Sequence, residues 1–586
     1  MDSVMSKRTK IVCTVGPGTD APGVLERMIA AGMNVARFNF SHGTHEEQGR
    51  RMDAVKAASE KLKTPIALML DTKGPEMRLG FFAEGATKLV QGTSFSLLSE
   101  TVLGDEHQAT VSYPELWRQT RPGQSILLAD GLVRLLVTNV ESGKITTVVE
   151  NTGVISDRKR VACPSLPVLL PALSEADKED LLFGVAKDVD YVAASFIQRA
   201  DDIVEIKRFL EKAGGSHVRV IAKIENEEGL RNVESIMQQA DGMMVARGDL
   251  GVEIPPERVP LLQKEMISLC NRLGKPVITA TQMLESMIVN PRPTRAETSD
   301  IANAILDGTD AIMLSGETAS GKYPVTAVET MFKVAQYTER SSLYQQRPRP
   351  LPDEAAVTTE AISQSTVTIS QNLHAKAILT ASESGRTALM VSKYRPDCPL
   401  VMVSPHLRSL RRAALYWGVT PVIGESTEDT DRMVNMAVAA AMRAGVIDDG
   451  DLVVITAGVP SGKEGTTNMI RVHVAGQVLL KGMGVGNGSA TGKIVLAKPQ
   501  NIAVFQPGDI LVVDTMDEKI VPYVQQAGAI IAVEEGLTCP SAVVGLEWKK
   551  PTVVGVKQAL TRLLTGERVT VDAARGFIYR GRVNAR

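Results

Sequence analysis

The chain has 586 residues, of which 44% are apolar and 23% are charged, and its formal net charge is −2. This length predicts several domains, because a single hydrophobic core stops growing at about 250–300 residues. The balanced charge and the lack of an apolar run of ~18 residues exclude a basic nucleic-acid surface and a membrane span. The five cysteines form no CxxC pair and the seven histidines no HExxH motif. This pattern favours a cytoplasmic protein and argues against a zinc enzyme.

Eight short apolar runs alternate with amphipathic segments in the first part of the chain. Near-continuous Val, Ile, Ala and Met runs separated by helices predict a parallel sheet buried on both faces. Eight such units close into a (β/α)8 barrel, whose chemistry lies at the C-terminal strand ends. The predicted strands are KIVCTV (10–15), NVARFNF (34–40), IALMLDT (66–72), YVAASFI (191–197), VRVIAKIE (218–225), GMMVARGD (242–249), PVITATQ (276–282) and AIMLSGE (311–317).

More than a hundred residues separate the third predicted strand from the fourth. Much of 76–160 alternates apolar and polar residues with turn signals, which predicts a small inserted β-barrel domain. Its position over the barrel mouth suggests a lid that excludes water. We therefore assign residues 1–72 and 165–345 to a catalytic barrel and residues 73–164 to the lid.

Two further domains are predicted after the barrel. The Pro-rich segment RPRPLPDE (347–354) is typical of a linker. Helices and strands then alternate, which predicts an open α/β domain assigned to 346–475. The Gly-rich string GMGVGNGSATG opens a fourth, extra C-terminal domain of β/α character, assigned to 476–586.

Three polar strings end successive predicted strands: KIENEEG (223–229), VARGDLG (245–251) and TATQMLESM (279–287). Lys223 and Glu225 lie two residues apart on a strand and therefore share a face. Asp249 follows Gly248, and glycine permits a ligand to approach the backbone closely. Together with the hydroxyl of Thr281, these groups suit metal-assisted phosphoryl transfer.

Two earlier strings carry further polar groups. MNVARFNFSHG (33–43) places Arg37, Asn39 and Ser41 at alternate positions of one predicted strand, hence on one face. DTKGPEMR (71–78) follows the next strand and supplies Asp71, the carbonyl of Thr72, Glu76 and Arg78. Neutral oxygens with one carboxylate suit a hard cation, and Arg37 suits a phosphate. Taken alone, each string could equally be a set of polar caps at the barrel top.

Two other strings resemble phosphate-binding loops. GETASGKY (316–323) nearly matches the P-loop pattern, but Tyr323 replaces the hydroxyl that binds magnesium and Pro324 indicates a helix start. We interpret it as a chance match. TASESGRTALMVSKYRP (380–396) places hydroxyls and an arginine between a strand and a helix, which suits a phosphate, although a plain capping turn is the alternative. Its candidate residues are Ser382, Ser384, Gly385, Arg386 and Thr387.

Taken together, these strings closely resemble those of pyruvate kinases. NFSHG, DTKGPE, KIEN, ARGDLG, ATQMLESM, RAETSDIANAILDG and LSGETA stand in the family's order over about residues 1–475. The resemblance implies transfer of phosphate from phosphoenolpyruvate to ADP, giving pyruvate and ATP in the last step of glycolysis. It also implies Mg²⁺ (or Mn²⁺) and K⁺ as cofactors, a regulatory α/β domain that binds a phosphorylated allosteric effector, and a homotetramer.

The resemblance further implies roles for single residues. Glu225 and Asp249 would bind the divalent metal, and Arg37 would hold the transferring phosphoryl group. Lys223 would neutralise charge as the bond breaks. Thr281 would bind the substrate carboxylate with the backbone of Gly248 and Asp249, and it lies on the path for protonating the enolate, for which Ser315 and Glu317 are alternatives. The potassium ligands would be Asn39, Ser41, Asp71 and Thr72, and the nucleotide contacts would be His42, Arg78 and Lys159.

Two positions in this comparison bear on the expected chemistry. The segment RKRVACPS (158–165) differs from the family pattern KGVNxPG, with Arg160 and Ala162 at the Gly and Asn positions. Glu76 stands beside the expected potassium site. Family members with glutamate here tend to need potassium, whereas a lysine supplies its own charge.

The last hundred-odd residues resemble a different piece, the phosphohistidine swivelling domain of phosphoenolpyruvate-utilising enzymes. GDILVVDT, AGAIIAVEEGLTCPSAVVG and PTVVGV match that pattern. However, Pro540 stands where the pattern has its histidine, and no histidine follows His473. We therefore expect a structural domain.

Three functions compete for this pattern of residues. They are a glycolytic phosphotransferase, a dikinase-like enzyme working through phosphohistidine, and a silent metabolite-binding regulator. The presence of Arg37, Lys223, Glu225, Asp249 and Thr281 favours the first.

Overall fold

The computed structural model describes residues 7–164, 166, 171–346, 357–427, 429–458, 467–476 and 478–582. The chain divides into two compact units. The first comprises residues 1–355, 392–395 and 407–421, and the second comprises 356–391, 396–406 and 422–586. The predicted linker at 347–354 lies outside the described residues.

The strands of the first unit fall into a barrel and an insertion. Barrel strands open the chain: β1 (Lys10–Thr14), β2 (Val35–Asn39) and β3 (Ala67–Asp71). The insertion comes next: β4 (Met77–Arg78), β5 (Ala86–Leu89), β6 (Ser94–Leu98), β7 (Gln108–Thr110), β8 (Ser125–Leu128), β9 (Val133–Glu141), β10 (Lys144–Val149), β11 (Gly153–Ser156) and β12 (Arg160–Ala162). The remaining barrel strands are β13 (Tyr191–Ala194), β14 (Arg219–Ile224), β15 (Gly242–Ala246), β16 (Val277–Ala280) and β17 (Ala311–Leu314).

Eight parallel strands of the described chain close into a barrel in the order β1-β17-β16-β15-β14-β13-β3-β2. Each lies within one of the eight predicted runs, so the (β/α)8 prediction is confirmed. Every residue of β1, β3 and β13 is buried, as expected for strands covered by side chains inside and helices outside. One detail was wrong: β2 ends at Asn39, so Ser41 lies in the following turn rather than on the strand.

Helices connect the barrel strands and carry recognisable end signals. Capping boxes begin α2 at Thr44 and α10 at Thr294, and left-handed glycines end α9 and α10. The helices of this unit are α1 (Val24–Ala30), α2 (His45–Leu62), α3 (Leu116–Gln119), α4 (Glu175–Ala186), α5 (Ala200–Lys212), α6 (Glu227–Arg231), α7 (Val233–Gln239), α8 (Arg247–Glu253), α9 (Val259–Leu273), α10 (Arg295–Asp307), α11 (Gly316–Ala319), α12 (Pro324–Arg340) and α13 (Ser342–Gln345). Short 3-10 helices lie at Pro17–Thr19, Pro256–Arg258 and Glu285–Ile288.

The insertion is the predicted β-rich lid. Its described strands form a seven-stranded sheet ordered β4-β12-β8-β9-β10-β6-β7 and a two-stranded sheet, β11-β5. A bridge between Leu79 and Val111 joins the two edges of the larger sheet, which gives a small barrel around its own apolar core. Strands β4 and β12 pair where the insertion leaves and re-enters the catalytic barrel, so they form the root of the lid.

The described residues from 357 onward form two more sheets. Their strands are β18 (Ala377–Ala381), β19 (Leu400–Ser404), β20 (Val419–Ile423), β21 (Leu452–Gly458), β22 (Thr467–Val474), β23 (Val478–Lys481), β24 (Met483–Val485), β25 (Ser489–Leu496), β26 (Ile510–Val513), β27 (Ala529–Ala532), β28 (Thr552–Val554), β29 (Arg568–Asp572) and β30 (Phe577–Arg580). The helices are α14 (Thr358–Asn372), α15 (Arg386–Lys393), α16 (Leu407–Ala413), α17 (Thr430–Arg443), α18 (Pro499–Ile502), α19 (Val521–Val524), α20 (Pro540–Glu547) and α21 (Ala559–Arg562).

The first of these sheets is ordered β20-β19-β18-β21-β22 and the second β23-β30-β29-β25-β26-β27-β28-β24. Parallel pairs dominate the centre of both, as the predicted β/α character requires. Within the second unit, Leu452 and Val474 of the five-stranded sheet pack against Val478, Phe577 and Tyr579 of the C-terminal sheet. The C-terminal domain is therefore joined to the α/β domain by apolar contact.

Candidate active site

A buried carboxylate joins two cations at the barrel mouth. Asp71, the last residue of β3, is 1% exposed. Its Oδ2 accepts a hydrogen bond from Arg37 Nε at 2.6 Å, and its Oδ1 accepts one from Lys223 Nζ at 3.0 Å. Burial by itself would raise the pKa of Asp71, but the charges of Arg37 and Lys223 lower it. The carboxylate therefore stays ionised and holds both cations in place.

The ammonium of Lys223 has two further oxygen neighbours. It donates to Ser195 Oγ at 2.6 Å and lies 3.1 Å from Glu225 Oε1. Burial disfavours its charge, but Asp71 and Glu225 raise the pKa of Lys223, so the group remains an ammonium. Ser195 in turn donates to the carbonyl of Thr72 at 2.6 Å, which fixes the position of its hydroxyl.

Arg37 is oriented by a second contact besides Asp71. Its Nη1 donates to Thr14 Oγ1 at 2.8 Å, and that hydroxyl donates to the carbonyl of Leu314 at 2.9 Å. The guanidinium thus rests on the ends of three barrel strands, β1, β3 and β17. A cation fixed in this way can bind a phosphoryl group without reorganising.

Glu225 and Asp249 are the carboxylates next to this pair of cations. Glu225 is 1% exposed, and its Oε2 accepts the backbone N–H of Phe196 at 2.7 Å. Burial raises the pKa of Glu225 to about 7, with Asp249 adding to the effect and Lys223 opposing it. The side chain of Asp249 is 38% exposed, and its Oδ1 accepts from Arg160 Nη1 at 2.6 Å.

The Thr281 loop has an unusual backbone. Thr281 and Gln282 have φ values of 68° and 57°, a left-handed conformation that side chains other than glycine seldom adopt and that concentrates at functional sites. Thr281 Oγ1 accepts the N–H of Gly248 at 2.8 Å and donates to the carbonyl of Ala280 at 2.6 Å. A Cβ added at Gly248 would lie 3.4 Å from that hydroxyl, an ordinary van der Waals contact, so this bond does not by itself require glycine.

A cavity of about 710 Å³ opens between the barrel mouth and the lid. Its size falls within the ~300–1,000 Å³ of small-molecule sites. Polar and charged groups dominate its wall, as expected for anionic substrates. It is lined by Arg37, Asn39, Ser41, His42, Asp71, Lys73, Glu76, Arg78, Leu79, Ser112, Arg158, Ser195, Phe196, Lys223, Glu225 and Asp249.

Comparison with known proteins identifies the family of this chain. Residues 6–328 match the barrel domain of pyruvate kinase, 360–473 its alpha/beta domain, and 505–576 the mobile domain of PEP-utilising enzymes. The chain is 48% identical over 582 residues to the pyruvate kinase of Geobacillus stearothermophilus, covering 98% of this chain and 99% of that protein. This chain belongs to the pyruvate kinase family.

Two further relatives extend the comparison. The pyruvate kinase of Staphylococcus haemolyticus is 45% identical over 586 residues, covering 99% of this chain and all of that protein. The crystal structure of a pyruvate kinase from Cryptosporidium parvum superposes with a TM-score of 0.75 at 36% identity, covering 80% of this chain and 96% of the other. The bacterial relatives therefore share the full length, whereas the solved structure matches only four fifths of it.

Most of the predicted site residues come together in the cavity wall. Those brought together are Arg37, Asn39, Ser41, His42, Asp71, Arg78, Lys223, Glu225 and Asp249. Gly248 and Thr281 contact each other beside Asp249, and Thr72 contacts Ser195 behind the wall. Lys159 is an exposed residue before β12 and is not among the residues that line the cavity.

Sequence reasoning missed three contributors: Thr14, Ser195 and Arg160. Thr14 ends β1, and Ser195 directly follows β13, so each is a first polar group after an apolar strand. That signal was available in the sequence, but single hydroxyls at strand ends are too common to single out. Arg160 departs from the family pattern in sequence, but its contact with Asp249 is visible only in the folded chain.

The carboxylates fit a divalent metal of the magnesium type. Among the residues that the structure describes, no three His, Cys, Asp or Glu side chains converge as an all-protein metal cage. Mg²⁺ does not need one, since it binds through one or two carboxylates with water and substrate phosphates completing its shell. Glu225 and Asp249 supply two hard oxygen donors beside an open cavity, which meets that requirement.

The remaining candidate loops are also placed. GETASGKY contains α11 and ends where α12 begins at Pro324, as predicted, so it forms no P-loop strand-to-helix cradle. The 382–387 segment runs from the end of β18 into the first turn of α15. There, the N–H of Gly385 donates to Ser382 Oγ at 3.1 Å, and Thr387 Oγ1 lies 2.8 Å from Thr467 Oγ1.

Proposed function

We propose that this chain transfers the phosphoryl group of phosphoenolpyruvate to ADP, forming pyruvate and ATP. The observation that supports this most is the Arg37–Asp71–Lys223 group, in which one buried carboxylate holds two cations beside Glu225 and Asp249. Such an arrangement is suited to phosphoryl transfer, where positioning and fixed charges supply most of the catalysis.

Each protein group has a distinct task in this reaction. Arg37 holds the phosphoryl group that is transferred, and Lys223 balances the negative charge that develops as the P–O bond breaks. Thr281 and the Gly248 and Asp249 backbone bind the substrate carboxylate. The enolate is then protonated along a path that includes Thr281. Ser195 and Thr14 act as positioning residues, because they bond to Lys223 and Arg37 and so orient these two cations.

Glu225 and Asp249 would hold Mg²⁺ or Mn²⁺, which supplies Lewis-acid stabilisation of phosphoryl and enolate oxygens when bound. Asn39, Ser41, Asp71 and Thr72 would hold K⁺. His42 and Arg78, both in the cavity wall, would contact ADP, with Lys159 as a third nucleotide contact from the lid.

Regulation and assembly are proposed from the same resemblance. The loop of Ser382, Ser384, Gly385, Arg386 and Thr387 would bind a phosphorylated allosteric effector, and the enzyme would act as a cytoplasmic homotetramer. No helix of the described residues has both the length and the apolarity to cross a bilayer, and none of the five cysteines is in a disulfide.

A coupled assay for pyruvate formation tests the function. We expect the wild type to turn over phosphoenolpyruvate and ADP, and Lys223→Met to lose at least about 10²–10³-fold in kcat, because a preorganised charge is removed. Mn²⁺ binding should persist in that variant, since Glu225 and Asp249 remain. A near-normal kcat for Lys223→Met would reject the role of this lysine, and an inactive wild type would reject the function.

A further inference from the structure

Arg160 reaches from the lid onto a carboxylate of the barrel. It is 7% exposed, its Nη1 lies 2.6 Å from Asp249 Oδ1, and its Nη2 lies 3.6 Å from Glu253 Oε1. The guanidinium also stacks on the ring of Phe196, 4.8 Å from its centre. The arginine is therefore held on one side by two carboxylates and on the other by an aromatic face.

Because of the position of Arg160 in the lid, this contact connects the lid to the barrel. Arg160 is the first residue of β12 and pairs with Arg78 of β4, at the root of the lid. Its carbonyl accepts the N–H of Ala129 at 3.0 Å, which ties it to the turn after β8. A side-chain bond from this strand to α8 of the barrel thus links the root of the lid directly to Asp249.

We propose that Arg160 is a latch that competes with the divalent metal: it neutralises Asp249 in the metal-free enzyme, and metal binding at Glu225 and Asp249 releases it together with the root of the lid. This latch rests on the proposed function, because it acts on the metal site of that reaction. A glycine at position 160, as in the family pattern that the sequence resembles, could not make the bond to Asp249.

The physical basis is competition for one carboxylate. The guanidinium of Arg160 already lies 2.6 Å from Asp249 Oδ1, so a divalent cation that binds this carboxylate is repelled by a positive charge in contact with its ligand. Metal binding therefore weakens the hold of Asp249 on Arg160, and the apparent metal affinity falls by the factor that favours the latched state. Conversely, bound metal shifts the equilibrium between the latched and released states of the lid root toward release, by the same factor by which the latch lowers the metal affinity.

Direct Mn²⁺ titration of the full chain without substrate, followed by the electron paramagnetic resonance of free Mn²⁺, tests the latch. We expect Arg160→Met to bind Mn²⁺ at least ~10-fold more tightly, because a competing charge bonded to the ligand is removed. Arg134→Met is the matched control, since this lid arginine pairs with Glu150 at 2.7 Å and is not among the residues that line the cavity. Its Mn²⁺ affinity should equal that of the wild type.

Hydrogen–deuterium exchange over residues 157–163 supplies the second readout. Mn²⁺ should increase exchange in the wild type, whereas Arg160→Met should exchange fast with or without the ion. Unchanged Mn²⁺ affinity in Arg160→Met, or wild-type exchange that ignores Mn²⁺, would overturn the latch. Arg160→Lys serves as a second variant in case Arg160→Met does not fold. It keeps the charge but lacks the two-pronged geometry of arginine, so we expect it to bind Mn²⁺ about 3-fold more tightly than the wild type. Unchanged Mn²⁺ affinity in Arg160→Lys would also overturn the latch.

Glu225→Gln separates failure of the latch from failure of the function. If Glu225→Gln binds Mn²⁺ weakly while Arg160→Met binds it as the wild type does, the assignment of the metal site is supported and only the latch is rejected. Normal Mn²⁺ binding in Glu225→Gln rejects the metal site, and the latch with it.

Discussion

At the scale of single residues, the site is built on shared charge. Asp71 is bonded to both Arg37 and Lys223, and Lys223 also lies next to Glu225. A buried ion that loses its partner is costly, so each member fixes the others. The family resemblance implies a role for Asp71 at potassium, and the structure shows that it also bonds to Arg37 and Lys223.

Ser195→Ala should reduce kcat by about 10-fold with little change in Mn²⁺ affinity. The hydroxyl accepts from Lys223 and donates to Thr72, and a hydrogen bond to a charged group contributes ~1.5–3 kcal/mol. Steady-state kinetics in the coupled assay measures the effect. Ser370→Ala, which removes another buried hydroxyl far along the chain in α14, is the control. Equal kcat values for the two variants would argue against positioning by Ser195.

Activity should require K⁺, and Glu76→Lys should weaken that requirement. Glu76 lies in the cavity wall, where it accepts a hydrogen bond from Arg78 Nε at 3.0 Å. A lysine there brings its own positive charge, whereas Glu76→Gln breaks the same ion pair without adding one. Rates in K⁺ buffer and in an organic-cation buffer give the comparison. Full wild-type activity without K⁺, or equal K⁺ dependence of the two variants, would contradict the prediction.

At the scale of elements, the candidate site is formed by polar residues at the carboxyl ends of barrel strands. Asp71, Glu225 and Thr281 lie at or just beyond the ends of β3, β14 and β16. Parallel strands of a barrel all end at the same rim, so groups distant in sequence meet there. The same rule applies to the open sheet, where the loop after β18 lies at the carboxyl edge before α15.

The loop after β18 should bind a phosphorylated effector. Arg386→Ala and Ser384→Ala should abolish activation by sugar phosphates or nucleotide monophosphates while leaving kcat at saturating phosphoenolpyruvate unchanged. The reason is that both side chains stand at the start of α15, where a phosphate finds N–H donors and a cation. Sigmoidal phosphoenolpyruvate curves with and without effector give the measurement. Arg443→Ala, at the exposed end of α17, is the control. Activation that survives both substitutions would place the effector elsewhere.

At the scale of the whole molecule, the C-terminal domain has no assigned role in the reaction proposed for the barrel. In the described structure, Pro540 begins α20 and Cys539 precedes it, buried beneath the helix. The side chain of Ser541, the next residue, is bonded to Glu534. Proline offers no nucleophile at the position where the swivelling pattern has histidine, so a dikinase-like route through this domain would lack the histidine of that pattern.

The C-terminal domain should therefore carry no phosphate and should act on stability. Deleting residues 477–586 should leave phosphoryl transfer largely intact but lower Tm, because Leu452 and Val474 would lose the apolar cover of Phe577 and Tyr579. Thermal unfolding and the coupled assay measure both effects. Mass spectrometry of the full chain after incubation with phosphoenolpyruvate is the direct check. An acid-labile phosphate on a peptide from 477–586 would overturn this view.

Much of this protein could be predicted from local pattern. The eight barrel strands and the β-rich insertion are indicated by apolar periodicity, because burial on both faces requires near-continuous apolar strands. The residues that end each run likewise indicate which polar groups meet at the barrel mouth. The same local reasoning placed Ser41 on a strand that ends at Asn39, since strand ends depend on hydrogen-bond partners that pattern does not show.

Other features were decided by tertiary structure alone. The bonds from Ser195 to Lys223, from Thr14 to Arg37 and from Arg160 to Asp249 join residues 28, 23 and 89 positions apart. Each bond depends on the closure of the barrel or on the docking of the lid. Barrel closure and lid docking produce no periodic pattern in the sequence. The left-handed backbone at Thr281 is likewise imposed by its surroundings, because threonine by itself disfavours that conformation.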